Sequence, residues 1–240
     1  METSIYITLS RQEALRRQME VVSNNIANMN TTGFKAQRML FLEYLERPDR
    51  QGDRMSFVQD FGLMRNTQAG PINVTSNPLD VAIRGEGYFG VETLSGTRYT
   101  RGGSFQLNND RELVDRNGLP LLTEGGQRIV IPADATNISI KGDGGVETEQ
   151  GPLGKLKVVT FADEQRLQEL GGGLYTTDQE EQPVATPQVA QGALEGSNVQ
   201  SVVEMTQMID VVRSYQSVQR MLDNEHERIR GAVRTLAKTQ

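Results

Sequence analysis

Residues Ser23 to Gln37 read "SNNIANMNTTGFKAQ". Asn24, Asn25, Asn28 and Asn30 crowd into the C-terminal end of a run with helical periodicity. Asn is a poor helix former, because its amide competes for nearby backbone groups. The preceding residues still carry a clear seam. Leu15, Met19, Val22, Ile26 and Met29 are spaced 4, 3, 4, 3, which predicts an amphipathic helix over residues 4 to about 29. Gly33 supplies a stop, since Gly accepts the left-handed conformation that commonly follows a helix, and any boundary from 28 to 32 fits. On a helical wheel Asn24, Asn25 and Asn28 fall away from that seam, on an arc shared with Ala14, Val21 and Arg17. Two readings compete: a frayed helix end with solvated amides, or a second contact surface whose amides bond across to neighbouring subunits.

At the other end, residues 198–237 predict a longer helix. Met208, Val211, Tyr215, Val218, Leu222, Glu225, Ile229, Ala232 and Leu236 follow a strict 3, 4 spacing. A second stripe, Val202, Met205, Ile209 and Val212, runs beside it. The combined apolar surface is wider than one seam requires, which calls for more than one partner helix.

Between the helices the pattern changes. "KAQRMLFLEYLE" fits either a continued helix or an extended arm. Pro48, Gly52, Gly62, Gly70, Pro71 and Pro78 then break the chain, as in an extended connector with short strands. From 79 to 161, "LDVAIR", "YFGVET", "RYTRGGSFQL", "ELVDR", "RIVI", "NISI" and "LKVVTF" read as strands. They are separated by "LSGT", "NND", "RNG", "EGG" and "KGDGG", which carry turn chemistry. Residues 162–195, with "GGG", Pro183 and Pro187, read as a loop-rich return path.

Composition narrows the chemistry. The chain has 240 residues, a formal charge of -6, one His and no Cys or Trp. The absence of Cys excludes disulfides, zinc–thiolate sites and thiol nucleophiles. Acidic balance with scattered Lys and Arg argues against nucleic acid as a partner. No apolar run reaches the ~20 residues that span a bilayer. The N-terminus lacks a basic region followed by an apolar one, so no cleaved signal peptide is expected.

"GEGYFG" places Gly85, Gly87 and Gly90 in a GxGxxG pattern, formally a dinucleotide fingerprint. That mechanism needs a helix opening at the last Gly. The β-rich "VETLSGTRYTR" follows instead, so a tight turn at Gly85 and Gly87 is expected, with a nucleotide-binding enzyme as the remote alternative. His226, within "DNEHER", has carboxylates only as sequence neighbours, which point to different helix faces. No GxSxG elbow is present. The chain is therefore read as a non-enzyme, without cofactor, metal or small-molecule substrate.

With both ends and the body in view, the chain resembles the bacterial flagellar rod and hook axial proteins over nearly its whole length. "SNNIANMNTTGFKAQ" resembles their N-terminal signature. "NPLDVAIRGEGYFGVET" with "RYTRGGSFQLNND" resembles the start of their outer β domain. "GALEGSNVQSVVEMTQMIDVVRSYQSVQRML" resembles their C-terminal signature. "SRQEALRRQMEVVSNNIANM" and "SFVQDFG" are most similar to the proximal-rod branch, with the distal-rod and hook branches as alternatives. Two positions depart: family members often carry an "xGxGFF" turn with Asp before its Gly, where this chain has Arg84 and Tyr88.

The resemblance implies an α+β fold, with N- and C-terminal helices paired as an antiparallel coiled coil around a central Gly-rich antiparallel β domain. It implies an N-terminal inner-core helix at 1–34, a connector at 35–80, an outer β domain at 81–190 and a C-terminal inner-core helix at 191–240. It also implies export through the flagellar type III apparatus and a place in the basal-body rod, in the periplasm. The expected partners are further copies of the chain and other proximal and distal rod subunits. Leu15, Met19, Val22, Asn24, Asn25, Ile26, Asn28, Met29, Val202, Met205, Met208, Ile209, Val211, Val212, Tyr215, Val218 and Leu222 are the expected subunit-interface residues. The seams pair within the subunit, while the extra stripe and the Asn face meet neighbours.

Overall fold

A computed structural model describes residues 2–46, 55–135 and 137–238, and within these the side chains of 2–5, 41–46, 55–61, 232, 233 and 235–238 are not described. Pro48 and Gly52 lie outside the described residues, as do the side chains of Ala232 and Leu236. The chain divides into two units: residues 1–27, 37–65 and 200–240, and residues 28–36 and 66–199.

The first unit holds two helices and an antiparallel pair of strands. Helix α1 spans Glu2–Ala27 and helix α2 spans Ser201–Lys238. They pack together and run in opposite directions. Gln12 of α1 donates to the Tyr215 hydroxyl at 3.1 Å and to Gln219 Oε1 at 2.7 Å, while Asn25, further along α1, reaches back to Glu204 at 3.1 Å. No described helix is long and apolar enough to cross a membrane.

Strands β1 (Gln37–Glu46) and β2 (Met55–Arg65) pair antiparallel from Gln37↔Arg65 to Glu46↔Met55. "KAQRMLFLEYLE" is thus extended from Gln37 on, and β1 and β2 form a long antiparallel pair where short strands were expected. Its register shifts between Leu40 and Phe41, opposite Gly62 at φ 146°. A bulge of this kind needs the backbone freedom that Gly provides. Both strands pack on α1.

The second unit is an antiparallel β body. Its strands are β3 (Ile72–Val74), β4 (Val81–Ile83), β5 (Tyr88–Thr93), β6 (Gly96–Thr100), β7 (Gln106–Leu107) and β8 (Leu113–Val114). They continue as β9 (Ile138–Ile140), β10 (Gly145–Thr148), β11 (Gly151–Lys155), β12 (Val158–Thr160), β13 (Gln168–Gly171) and β14 (Leu174–Thr176). The last are β15 (Gln182–Pro183), β16 (Val189–Gln191) and β17 (Ala193–Glu195). The largest sheet runs β13-β14-β6-β5-β12-β15, beside a three-stranded sheet β11-β10-β9 and the pairs β16-β4, β17-β3 and β7-β8.

Strand β5 organises the core. Successive side chains of a strand point to opposite faces. Phe89 and Val91 enter one cluster with Val81, Leu113, Leu121 and Leu156, where Phe89 meets Phe105 edge-on with ring centroids 5.2 Å apart. Tyr88 enters the other with Tyr99, Phe161, Leu167 and Tyr175. The second cluster draws on residues 162–195, read from sequence as a loop-rich return. That segment instead contributes β13 and β14, with β14 paired to β6 through Leu174↔Thr100 and Tyr175↔Tyr99.

Candidate assembly surface and its supporting charge clamp

The amides of the opening stretch have separate tasks. Helix α1 stops at Ala27, six residues before Gly33. The chain then turns at Asn28, whose carbonyl accepts from Thr31 N at 3.1 Å and whose side-chain oxygen accepts from the Thr31 hydroxyl at 3.1 Å. This is the local competition that makes Asn a weak helix former.

Asn25 is 1 % exposed. Its Nδ2 donates to Gln37 O at 2.8 Å and to Glu204 Oε2 at 3.1 Å, and its Oδ1 accepts from Gln37 N at 2.9 Å. Asn25 is therefore engaged inside its own chain, rather than reaching a neighbouring subunit as expected from the wheel. Asn24, next in sequence, is exposed. The physical reason is the width of the packed arc. Among the described residues of α1, Thr8, Ala14, Val22 and Asn25 are buried. Asn25 lies about 60° around the helix from Val22 and about 20° from Ala14, so the amide falls inside the packed arc, between two buried residues. Leu15, Met19, Ile26, Asn28 and Met29 are half-buried.

On α2 the packed residues follow a heptad line as far as Leu222. Glu204, Val211 and Val218 are buried at seven-residue intervals, flanked by half-buried Met208, Val212, Tyr215 and Leu222. Three of the four residues of the second stripe are exposed, Val202 at 76 %, Met205 at 48 % and Ile209 at 52 %, while Val212 is half-buried. Further along, Met221 is exposed, and so is Ile229, which the spacing placed on the main seam. A groove of about 500 Å³ lined by Thr8, Ser217, Met221, Leu222 and Glu225 lies on the same unit. Val202, Met205 and Ile209 fall within about 60° of one another on the helix, and large apolar side chains exposed side by side mark an interaction surface.

Inside the β unit, the three signature segments meet at one buried ionic group that sequence reading missed. Lys35 Nζ lies 2.6 Å from Glu195 Oε1, and Arg101 Nε lies 2.5 Å from Glu195 Oε2. All three side chains are buried. Lys35 also donates to Gln68 O at 2.8 Å, and Gly70 N donates to Glu195 Oε1 at 2.9 Å. Burial alone would raise the Glu195 carboxyl, but the Arg101 charge, the Lys35 hydrogen bond and the Gly70 N–H hold it below the usual value. Lys35 is also lowered, first by burial and then by the like charge of Arg101, although Glu195 opposes this. The two directions differ in meaning because one carboxylate serves two cations. Glu195 gains from both, whereas Lys35 gains from one and is repelled by the other.

Arg101 also settles the glycine motif. Its guanidinium donates to the carbonyls of Ile83, at 3.2 Å, Gly85 and Gly87. Gly85 and Gly87 have φ of 95° and 133°, and strand β5 follows them, not a helix. A phosphate cradle needs converging N–H groups. Here carbonyls converge on a cation, the opposite polarity.

Gly33, at φ 72°, packs against the other side of the same residue. A Cβ added there would sit 2.6 Å from Arg101 C and 2.7 Å from Arg101 O. Gly33 N donates to Glu195 O at 2.9 Å. Asn198 completes the clamp: its Oδ1 accepts from Ala36 N at 2.7 Å, and its Nδ2 donates to Asn66 O at 2.9 Å and Gln68 O at 2.8 Å. A signal for the ionic group was present in the sequence. Each charge stands alone among small or apolar neighbours, in "GFKA", "YTRGG" and "ALEG".

Comparison with known proteins fits this arrangement. Residues 5–35 match the family model for the flagella basal body rod protein, 82–148 that for the flagellar hook protein FlgE/F/G D1 domain, and 190–234 that for the flagellar basal body rod FlgEFG protein C-terminal. The chain is 40% identical to the flagellar basal-body rod protein FlgF of Caulobacter vibrioides, over 99% of both chains. It is 31% identical to FlgF of Rhizobium meliloti over 98% of both, and 33% identical to FlgG of Bacillus subtilis over 95% of this chain and 96% of that one. Sequence, fold and relatives agree: the chain belongs to the flagellar basal-body rod protein family, as a structural subunit of the rod.

Proposed function

We propose that this subunit occupies the FlgF position, in the proximal rod, and polymerises through its terminal helices as part of the torque-transmitting drive shaft. The observation that carries polymerisation is the exposed row Val202, Met205 and Ile209 on a helix whose other face is already packed. The greater identity to FlgF of Caulobacter, over essentially the whole chain, favours the proximal position. In this reading α1 and α2 form an antiparallel coiled coil of the inner core. Val22, Val211 and Val218 hold it together, with Leu15, Met19, Ile26, Met29, Met208, Tyr215 and Leu222 at its margins. Asn24, Asn28, Val202, Met205, Ile209 and Val212 meet neighbouring copies and other rod subunits, FlgG among them.

The domain scheme of inner-core helices at 1–34 and 191–240, connector at 35–80 and outer β domain at 81–190 belongs to the same proposal. So do export through the flagellar type III apparatus without a cleaved signal, a periplasmic location and a role without catalysis. The buried clamp of Lys35, Arg101 and Glu195 serves stiffness rather than chemistry: it ties the entry, the turn and the exit of the β body to one point.

The relatives named FlgG support a second reading, a distal-rod subunit. A small fusion in the exposed turn at Leu94 distinguishes the two. In sub-tomogram averages of motile cells its density is expected at the cytoplasmic-membrane end of the rod. Density along the distal rod would establish the alternative.

A further inference from the structure

The apolar seam between α1 and α2 is nearly degenerate under a slip of one heptad. A seven-residue shift of α2 replaces Met208 by Tyr215, Val211 by Val218 and Tyr215 by Leu222, apolar for apolar each time. From Met208 to Tyr215 burial alone does not select among these registers, because each presents a similar apolar line there; only further along does the same shift set Glu225 in place of Val218. Among the described cross-helix polar contacts, Asn25–Glu204 is buried, whereas those of Gln12 with Tyr215 and Gln219 are part-buried or exposed, so it is Asn25–Glu204 that breaks the degeneracy at a cost. Glu204 sits on the same heptad line as Val211 and Val218, is equally buried, and receives the second N–H of Asn25. A slip in one direction sets Val211 opposite Asn25 and carries Glu204 away from its donor. A slip in the other direction sets Glu204 against the aliphatic part of α1.

We propose that the Asn25–Glu204 pair is the register-determining contact of the helix pair, selecting the one alignment of α1 and α2 in which the exposed stripe of α2 is correctly placed for assembly. A buried polar pair is costly when mismatched and neutral when matched, so it discriminates without adding much stability. The geometry is specific. The Asn25 amide is already bound on two atoms by the Gln37 backbone, which fixes its orientation and leaves a single N–H aimed at the α2 position it recognises.

The lack of native Cys makes the test direct. Three reporter chains carry Gln12→Cys together with Gln219→Cys for the observed register, Met208→Cys for one slip or His226→Cys for the other. A slip displaces the reporters by about 10 Å along the helix. Intramolecular cross-linking of the full chain with a short bismaleimide is expected to favour the Gln219→Cys reporter at least about tenfold. In a Glu204→Leu background, circular dichroism should show retained helix while that preference collapses to within about twofold. In a Glu204→Gln background, which keeps an acceptor for Asn25, the preference should persist. Unchanged selectivity in Glu204→Leu would overturn the proposal. So would loss of selectivity in Glu204→Gln, loss of helix together with all three cross-links in Glu204→Leu, or the absence of a preference in the unaltered background.

Discussion

Replacing Gly33 by Ala probes the point where the N-terminal signature docks on the β body. Two costs separate cleanly. The first is conformational: Gly33 has φ 72°, and an L-residue held in that region costs about 1–2 kcal/mol. The second is steric. The new Cβ would lie 2.6 to 2.8 Å from backbone atoms of Arg101 and Gly102, which cannot rotate away. Forced overpacking of this kind costs about 1–3 kcal/mol. Gly118 supplies the control, since it has a similar φ of 79° but nothing within 4 Å of its added Cβ.

Gly33→Ala should therefore destabilise the β unit by about 2–5 kcal/mol and Gly118→Ala by about 1–2 kcal/mol. For a unit of about 140 residues, 1 kcal/mol moves Tm by about 3 °C. The expected losses are about 6–15 °C and about 3–6 °C respectively. Near-ultraviolet circular dichroism follows the right transition, because Tyr88, Tyr99 and Tyr175 are buried in one cluster of a chain that has no Trp. A Gly33→Ala loss no larger than that of Gly118→Ala would refute the close approach to Arg101.

Three further perturbations address the remaining features. Glu195→Gln leaves two buried cations facing a neutral group and should cost about 3–5 kcal/mol in chemical denaturation. Because the folded Glu195 carboxyl lies below its ordinary value of 4.5, the stability it contributes is complete above that pH and is lost as pH falls through the folded value. The acid limb of the stability profile should flatten in the variant. Arg101→Lys keeps the charge but loses the fork that holds the Ile83, Gly85 and Gly87 carbonyls, and should lower Tm nearly as much as Glu195→Gln; stability equal to the parent chain would contradict that role. Ile209→Asp, at a half-exposed position, should change stability by about 0.5 kcal/mol or less yet abolish swimming, whereas Val218→Asp, buried in the seam, should reduce helix content as well. Normal swimming by Ile209→Asp would remove the stripe from the assembly surface.

Some features were legible because their signals are local. The 3, 4 spacing located both helices to within a few residues, since burial of one helix face imposes that period. The turns at Gly85, Gly87 and "LSGT" were readable from their glycines. The pairing of β1 with β2 was not, because the nearly unbroken apolar run from Met39 to Leu45 shows no clear two-residue alternation and fits a helix or a strand equally well. Strand β14 escaped for a different reason: its partner, β6, lies about 75 residues earlier, and pairing at that distance leaves no periodic trace. Asn25 was assigned outward because a wheel gives angles but not the width of the packed arc. Lys35, Arg101 and Glu195 resembled ordinary surface charges. Only the folded chain shows that residues 160 positions apart share one buried site.

The most direct test is a density map of isolated basal bodies in which this chain can be traced. The expected result is a subunit whose α1 and α2 pair in the inner core, with Asn25 against Glu204 and with Val202, Met205 and Ile209 covered by an adjacent rod subunit. A traced subunit whose stripe faces solvent, or whose terminal helices lie apart from each other, would contradict assembly through these surfaces.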